Sequence, residues 1–197
     1  MRYLNNKKII FIAVFVFMFA CFTISDSVFA ESELTAGCAL DMDISTHNYI
    51  EEAPVQDIES STTAWVNSYI FVAIVGQNVT NLDTYQIEVK FNPENLQFIM
   101  GVEENPFAGM NNLLKKNNGT TFGFQAIENT SGTINIANTL IGNDSGQAPE
   151  GSGILALLQF KILDDSSETS LTLENVHYVD SLGKDQPINN LLHATVK

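Results

Sequence analysis

The sequence predicts an all-β protein, built as an antiparallel β-sandwich or jelly roll with at most one short helix. About nine short strand-like segments are separated by clusters of Gly, Asn, Asp, Ser and Pro. The clearest segment places Tyr85, Ile87, Val89 and Phe91 on one side of a strand and polar residues on the other. Because no long helical pattern interrupts these segments, the crossover connections of a parallel sheet are not expected.

Residues 1–30 predict an export signal. A basic start over residues 2–8 precedes an almost unbroken apolar run over residues 9–22, and Val28-Phe29-Ala30 supplies the small residues that a signal peptidase reads. Cleavage is therefore expected before Glu31, which gives a secreted protein, extracellular or periplasmic, without a membrane span after signal removal. An uncleaved membrane anchor and a lipidated cysteine are the alternatives.

The mature chain is predicted to hold one domain. Residues 31–39 are expected to form a flexible N-terminal segment and residues 40–197 a single β-sandwich. A mature length of about 165 residues is enough for one sizeable core. Since Cys21 leaves with the signal and Cys38 then stands alone, no intramolecular disulfide is expected, and packing must stabilise the fold.

The first strands follow from alternation and apolar density. Leu40, Met42 and Ile44 mark the first strand, and residues 46–61 form a polar loop. The dense apolar stretch Val66–Val75 predicts a strand that is buried on both sides. The strand of Tyr85 comes next, and beyond it lie a tight turn and a second strand. These contain, in order, Asn92, Pro93, Leu96 and Phe98.

The second half of the domain begins with the one predicted helix, Phe107–Lys116, in which Leu113 and Leu114 point inward. Apolar residues in alternation or in short runs mark the remaining strands. They are Phe122, Phe124 and Ala126; Ile134 and Ile136; Ile154–Leu163; Leu171, Leu173 and Val176; and Leu191–Val196.

The charge of the chain restricts its partners. The formal net charge is −14 at pH 7, and the residues after position 30 contain lysine but no arginine. With no basic patch to neutralise phosphates, nucleic acid is excluded as a partner. The same charge disfavours anionic membrane surfaces.

Catalytic and metal-binding patterns are not found in the sequence, so no enzyme activity and no resident cofactor are expected. His47, His177 and His193 are far apart, and His177 is interpreted as a surface or half-buried packing residue. No serine lies in a nucleophile-elbow pattern. The acidic pairs are interpreted as solvated loop residues, and a structural calcium site is an open alternative at two places. The pairs are Glu51-Glu52, Glu103-Glu104 and Asp164-Asp165, and the calcium alternatives are Asn143-Asp144-Ser145 and Asp164-Asp165.

Exposed aromatic side chains would indicate direct binding of a polysaccharide, because flat rings stack on sugar rings. Tyr85 and Tyr69 are both assigned to the core, Tyr85 by alternation and Tyr69 by its apolar surroundings. Trp65 is the one candidate for a glycan-binding platform, although a core or strand-edge position is favoured for it.

Three segments carry a resemblance to a known family. They are residues 82–96, which contain Phe91-Asn92-Pro93, residues 132–137, and residues 151–161, which contain Gly153-Ile154-Leu155-Ala156. In this order and spacing the chain resembles a cohesin domain of the kind found as single modules in exported bacterial proteins. The resemblance covers residues 40–197.

The resemblance implies a nine-stranded jelly roll, related in fold to carbohydrate-binding modules, whose flat sheet face binds a dockerin module of another protein. Dockerins carry paired calcium loops of EF-hand type, so calcium would arrive with the partner. The chain departs from cellulosomal type I cohesins. It has Thr84 and Gln86 at positions where those carry Asn and Asp, and Leu140 and Ile141 where those carry an acidic pair.

The predicted function is therefore a secreted, non-catalytic binding module that recognises a dockerin-like protein in polysaccharide-degrading or cell-surface assemblies. Thr84, Gln86 and Glu88 are the predicted contacts because they lie opposite the apolar row of their strand. Asn138 and Thr139 are added from their position in the resemblance. A carbohydrate-binding module and a structural component of a surface layer or appendage are the alternatives.

Overall fold

The computed structural model describes residues 36–44, 58–105, 109–141 and 146–197. The predicted export signal, most of the 46–61 loop, the start of the predicted helix and the candidate calcium site at Asn143-Asp144-Ser145 lie outside the described residues. The strands are β1 Ala36–Asp41, β2 Ser61–Thr62, β3 Tyr69–Val79, β4 Leu82–Lys90, β5 Leu96–Val102, β6 Thr121–Thr130, β7 Thr133–Leu140, β8 Gly151–Ile162, β9 Thr169–Asp180, β10 Asp185–Gln186, β11 Ile188–Leu192 and β12 Ala194–Val196.

Two sheets form a sandwich, which confirms the predicted fold class. One sheet has five strands in the order β11-β1-β3-β8-β5, and the other has seven, in the order β2-β12-β9-β4-β7-β6 with β10 paired to β9. The sheets are mixed rather than purely antiparallel, because β1 runs parallel to β11 and β12 runs parallel to β2.

The core lies between the sheets and is built from the alternating residues of each strand. Tyr85, Ile87 and Val89 of β4 are fully buried, as are Ile134 and Ile136 of β7. Burial of apolar surface contributes about 25 cal/mol per Å², so each such side chain stabilises the fold by roughly 1.5–3 kcal/mol. The period-2 pattern of the sequence thus becomes the inner faces of the two sheets.

The first strand begins earlier than predicted. Residues 36–39, assigned from the sequence to a flexible segment, lie in β1 and pair with β3 and β11. Every residue of β1 is buried: Cys38 and Leu40 face the main core, while Ala39 packs in a second apolar cluster on the outer side of the sheet. A short strand of small residues buried on both sides shows no alternation, so the pattern did not reveal it.

The turn at Asn92-Pro93 has a larger role than joining two neighbouring strands. It closes with hydrogen bonds from the N–H groups of Asn95 and Leu96 to the Asn92 carbonyl, at 3.2 and 3.0 Å. Because β4 and β5 belong to different sheets, the turn carries the chain across the sandwich. Leu96 is buried, so the apolar pattern does resume after the turn as predicted.

Strand β3 is buried on both sides only in part. Val72 and Ala73 are fully buried, but Tyr69 is 55% exposed and Phe71 47% exposed, which corrects the assignment of Tyr69 to the core. The outer apolar cluster covers the sheet around Ala73 and Val75 and does not include the start of β3. The two aromatic rings therefore face solvent.

The predicted helix is reduced to one 3-10 turn, Leu113–Lys115, within the residues described there. Leu113 and Leu114 are buried as expected. The side chain of Asn112 caps the turn, because its Oδ1 accepts a hydrogen bond from the Leu114 N–H at 2.9 Å.

Candidate protein-binding face

The outer surface of β9, β4, β7 and β6 is the candidate site and is called the β4 face below. Thr84, Gln86 and Glu88 project from β4 on the side opposite the buried Tyr85–Val89 row, as predicted. The pairing of the strands places further side chains beside these three. Thr139 pairs with Thr84, Ala137 and His177 pair with Gln86, and Asn135 and Glu174 pair with Glu88.

Hydroxyl groups meet where β4 and β7 pair at one end of the face. The Oγ1 atoms of Thr84 and Thr139 are 2.7 Å apart, and Thr84 donates to the Asp83 carboxylate at 2.8 Å. Thr139 Oγ1 also lies 3.4 Å from the same carboxylate oxygen. The structure thus brings two predicted contact residues into one polar cluster, with Asp83 as an added member.

Charged side chains lie toward the other end of the face. Lys90 forms an ion pair with Glu174, and Glu88 accepts a hydrogen bond from the Asn175 side chain. The hydrogen bond to Glu174, followed by the charge of that carboxylate, raises the pKa of Lys90. These exposed pairs fix side-chain positions more than they stabilise the fold.

Asn138 does not lie on the β4 face, so the prediction of a direct contact is wrong. Its exposed fraction is 2%, because it shares the inward row of β7 with Ile134 and Ile136. Its Nδ2 donates to Glu103 Oε1 at 2.8 Å, and its Oδ1 accepts from the Thr139 N–H at 3.0 Å. Asn138 is therefore a supporting residue beneath the face.

Phe122 is an exposed residue of the face, although the sequence grouped it with Phe124 and Ala126 in one alternating apolar row. It pairs with Thr139, whereas Gln125 pairs with Ala137, so three steps along β6 match two along β7. This bulge contains Gly123 at φ +82°, a backbone conformation that glycine adopts without strain. The extra residue changes which side chains before the bulge face the core and which face solvent, and it leaves Phe122 70% exposed. Glycine inside a strand pattern was the available signal.

Two further apolar side chains are exposed on the same side of the sheet. Ile127 of β6 pairs with Asn135 of β7, and Ile141 comes directly after the end of β7, two positions beyond Thr139. Phe122 lies across from Thr139, and Ile141 is two positions beyond Thr139 along the chain. These two exposed residues are called the apolar corner below, because diagonal neighbours on adjacent strands are within reach of large side chains.

A polar network lies beneath the face at the edge of the core. The Asn112 side chain donates to the carbonyls of Leu155 and Glu103 at 2.6 and 3.2 Å, and the Tyr85 hydroxyl donates to the same Leu155 carbonyl. Burial raises the pKa of Tyr85, so its hydroxyl stays protonated as a donor. This network attaches the segment before the 3-10 turn to the core.

Glu103 and Glu104 are not solvated loop residues, which corrects their interpretation. Both are half-buried, and both pair with Lys115, at 3.2 and 2.7 Å. Burial lowers the pKa of Lys115, but the hydrogen bonds that Lys115 donates to Glu104 and Glu103 outweigh that effect, and the net pKa lies above its ordinary value. The acidic pair is thus part of the supporting network.

The remaining candidates for a metal or catalytic site can be compared with the structure only where it describes them. In the part of the chain that the structure describes, no group of three or more His, Cys, Asp or Glu side chains lies close enough to hold a metal ion. His177 is exposed on the β4 face and His193 accepts a hydrogen bond from the Leu173 N–H at 3.1 Å. Within the same described residues, no helix is long and apolar enough to cross a membrane.

Trp65 lies away from the β4 face, in the turn before β3. It is 71% exposed, so the favoured core or strand-edge position is wrong. Its neighbours in space include the exposed rings of Tyr69 and Phe71, which line the same cavity.

Solved structures share this architecture. The non-cellulosomal cohesin from the archaeon Archaeoglobus fulgidus is 14% identical with a TM-score of 0.55, over 82% of this chain and 89% of that chain. A type II cohesin domain from the cellulosome of Acetivibrio cellulolyticus is 18% identical with a TM-score of 0.59, over 82% of this chain and 95% of that chain. The chain has a cohesin-like fold.

A third cohesin structure includes a bound partner. The sixth cohesin of Acetivibrio cellulolyticus scaffoldin B, in complex with a Cel5 dockerin mutant, is 13% identical to the cohesin-like chain with a TM-score of 0.57. The match covers 83% of this chain and 98% of that one. No protein-family model and no curated protein sequence matches the chain. At these identities the likeness shows the fold alone.

Proposed function

We propose that the protein is an exported, non-catalytic module that binds a dockerin-like protein through the β4 face. The observation that carries the proposal is the cohesin-like fold, which it shares with a cohesin in complex with a dockerin. The β4 face supports it with a broad sheet surface that combines hydroxyl, amide, charged and apolar groups on rigid strands.

The layout of the face indicates what kind of partner it fits. Phe122 and Ile141 offer an apolar corner, Thr84 and Thr139 offer hydroxyls beside it, and Gln86 lies between these and the charged end. A matching partner presents an apolar side chain at the corner and hydrogen-bonding groups along the centre. Exposed aromatic residues often contribute a large share of binding energy, so Phe122 is the proposed anchor.

Calcium belongs to the partner in this proposal. Dockerin modules fold around calcium loops, so a chelator acts on the ligand rather than on the cohesin-like chain. Binding is therefore expected in calcium and lost in EDTA, whereas the thermal unfolding of the chain itself stays unchanged by EDTA.

The test is an affinity measurement against purified dockerin modules encoded by the source organism, in calcium and in EDTA. Phe122→Ala is expected to weaken binding at least tenfold, a loss of about 1.4 kcal/mol. Phe71→Ala is the matched control, because Phe71 is an exposed phenylalanine on the other sheet. Binding that survives EDTA, or that falls equally in both variants, contradicts the proposal.

We also propose that the protein acts outside the cytoplasm, in polysaccharide-degrading or cell-surface assemblies. The basic start and apolar run of residues 1–30 support export. N-terminal sequencing of the exported protein is expected to begin at Glu31. A mature N-terminus at Met1 would contradict cleavage, and a modified Cys21 or Cys38 would favour lipidation.

Self-association is the outcome expected of the structural alternative, a surface-layer or appendage component. Sedimentation velocity of the exported protein distinguishes it from a monomeric binding module. Direct glycan binding is the remaining alternative, and exposed aromatic residues at and before the start of β3, on the opposite sheet, favour it.

A further inference from the structure

We propose that the outer side of the five-stranded sheet is a second binding site, for a neutral polysaccharide. Trp65, Tyr69 and Phe71 form its centre and are called the aromatic platform. All three are large exposed side chains, and among the described residues Phe122 is the other aromatic side chain in that exposed group. Large exposed apolar side chains that occur together mark binding surfaces. The proposal stands independently of dockerin binding.

The three rings are adjacent. Tyr69 and Phe71 are two positions apart on β3, so they project from the same side of the sheet about 6.4–6.8 Å apart along the strand. Trp65 lines the same cavity of about 300 Å³ as these two residues.

The turn that carries Trp65 is held in one conformation. Ser68 donates from Oγ to the Trp65 carbonyl at 2.6 Å and accepts from the Trp65 N–H at 3.2 Å. Asn67, at φ +66°, donates its N–H to the Ile162 carbonyl at 2.9 Å, and the Val66 N–H donates to Asp165 at 3.0 Å. Because this turn is anchored to β8 and to the loop after it, the indole is presented with little ordering cost on binding.

The platform continues into a groove. A second cavity, of about 390 Å³, shares Phe71 and Ile44 with the first and extends over β8 and β5 to Met100 and Gln159. Strand pairing places Gln159 beside Phe71 and Lys161 beside Tyr69. Gln97 of β5 pairs with Lys161, which adds another polar side chain at the edge.

The chemistry of this groove fits a neutral sugar chain. Aromatic rings stack on the apolar faces of pyranose rings, and the side chains of Ser68, Gln97 and Gln159 match sugar hydroxyls as donors and acceptors. Among the described residues that line the two cavities, Asp43 and Glu104 carry a charge, and Glu104 is paired with Lys115. Lys161, beside Tyr69, adds one cation, so charges of both signs are few and no single sign dominates the groove. The net charge of −14 disfavours acidic polysaccharides.

The position of the platform adds a functional consequence. The platform and the β4 face are on the outer sides of different sheets, so a glycan and a protein partner do not compete for the same surface. A module with both sites would hold its protein partner against a polysaccharide.

Trp65 itself supplies the assay, because it is the one tryptophan of the sequence. The full chain, expressed with its N-terminal segment and purified as exported, is titrated with cellohexaose, xylohexaose, mannohexaose and chitohexaose while indole fluorescence is followed. Co-sedimentation with the corresponding insoluble polysaccharides gives a second readout. It also measures binding by Trp65→Ala, which has no tryptophan fluorescence. At least one glycan is expected to bind, and Tyr69→Ala and Phe71→Ala are each expected to weaken its binding at least tenfold.

Phe122→Ala is the matched control, since it removes an exposed phenylalanine ring from the β4 face instead. It is expected to leave glycan binding unchanged. The proposal is overturned if none of the four glycans changes the fluorescence and none of the polysaccharides retains the protein. It is also overturned if Phe122→Ala weakens binding as much as Phe71→Ala. A dimer that Phe71→Ala dissociates would assign the platform to self-association instead.

Discussion

Replacement of the buried Asn112 by alanine is expected to destabilise the domain by about 3–5 kcal/mol. Asn112 is 1% exposed, and its side chain makes hydrogen bonds of 2.6 Å to the Leu155 carbonyl, 3.2 Å to the Glu103 carbonyl and 2.9 Å from the Leu114 N–H. The network beneath the β4 face therefore depends on one side chain.

The magnitude follows from what each partner loses. A typical hydrogen bond contributes about 0.5–1.5 kcal/mol net, and a buried donor without a partner costs about 1–3 kcal/mol. The Leu114 N–H loses its partner in a fully buried position, whereas the Leu155 carbonyl keeps the Tyr85 hydroxyl. Two lost bonds to carbonyl groups and one orphaned donor add up to about 2–6 kcal/mol, and the 3–5 kcal/mol expected is the middle of this range.

The assay is urea unfolding followed by circular dichroism, with the midpoint and slope compared between variants. Asn111→Ala is the matched control, because Asn111 is exposed beside Asn112 and its replacement is expected to cost less than about 0.5 kcal/mol. Thermal melting of Asn112→Ala is expected to fall by roughly 6–20 °C. If the two variants unfold within about 1 kcal/mol of each other, the reasoning about this network is refuted.

Three further predictions concern the core and its edges. Burial raises the pKa of Cys38 from 9.0 to about 12, so the folded state keeps a proton that the unfolded state releases above pH 9. The contribution of the buried thiol to the free energy of unfolding is therefore expected to be complete below pH 9 and to be lost as pH rises toward 12. In Cys38→Ala the free energy of unfolding is expected to fall less steeply over this range. Equal slopes for the two proteins in pH-dependent unfolding would contradict this. Gly123→Ala is expected to lower the free energy of unfolding by about 1–2 kcal/mol, because alanine is strained at this positive φ. A Cβ at this position meets no atom within 4 Å, so no steric clash adds to the cost. A variant that is more stable in urea unfolding would argue against the bulge. Lys115→Ala leaves Glu103 and Glu104 without their shared cation, so the free energy of unfolding is expected to fall by about 1–3 kcal/mol. Thermal melts at two ionic strengths are expected to show a smaller loss at high salt. A loss that does not depend on salt would indicate an effect on packing instead.

The fold was predictable because burial of one face leaves a period-2 record in the sequence. Ile87 and Val89 of β4 and Ile134 and Ile136 of β7 are fully buried as the alternation indicated. Where both faces of a strand are covered the record disappears, and the start of β1 around Cys38 was missed for that reason.

The candidate site was predictable only in part. Parity placed Thr84, Gln86 and Glu88 on the outer side of β4, and the structure agrees. The same parity assigns Asn138 to the inward row of β7, so the residue was misplaced by the positional argument rather than by the pattern. Phe122 was misplaced because one extra residue at a bulge reverses the parity of everything before it.

The aromatic platform shows what a pattern does not contain. Tyr69 and Phe71 lie in an apolar run that is typical of a buried strand, and their exposure depends on which other segments cover the sheet. Coverage by a distant segment leaves no mark on the strand itself, so tertiary structure was needed to find these residues.

The central claim is that the β4 face holds the protein partner, and a matched pair of charge insertions tests it most directly. Gln86 and Gln97 are both exposed glutamines, one at the centre of the β4 face and the other on the outer side of the opposite sheet. Affinity for the organism's dockerin modules in calcium is measured for Gln86→Arg and Gln97→Arg. The account predicts that Gln86→Arg abolishes binding and Gln97→Arg leaves it unchanged. Full binding by Gln86→Arg, or its loss in Gln97→Arg, would contradict the account.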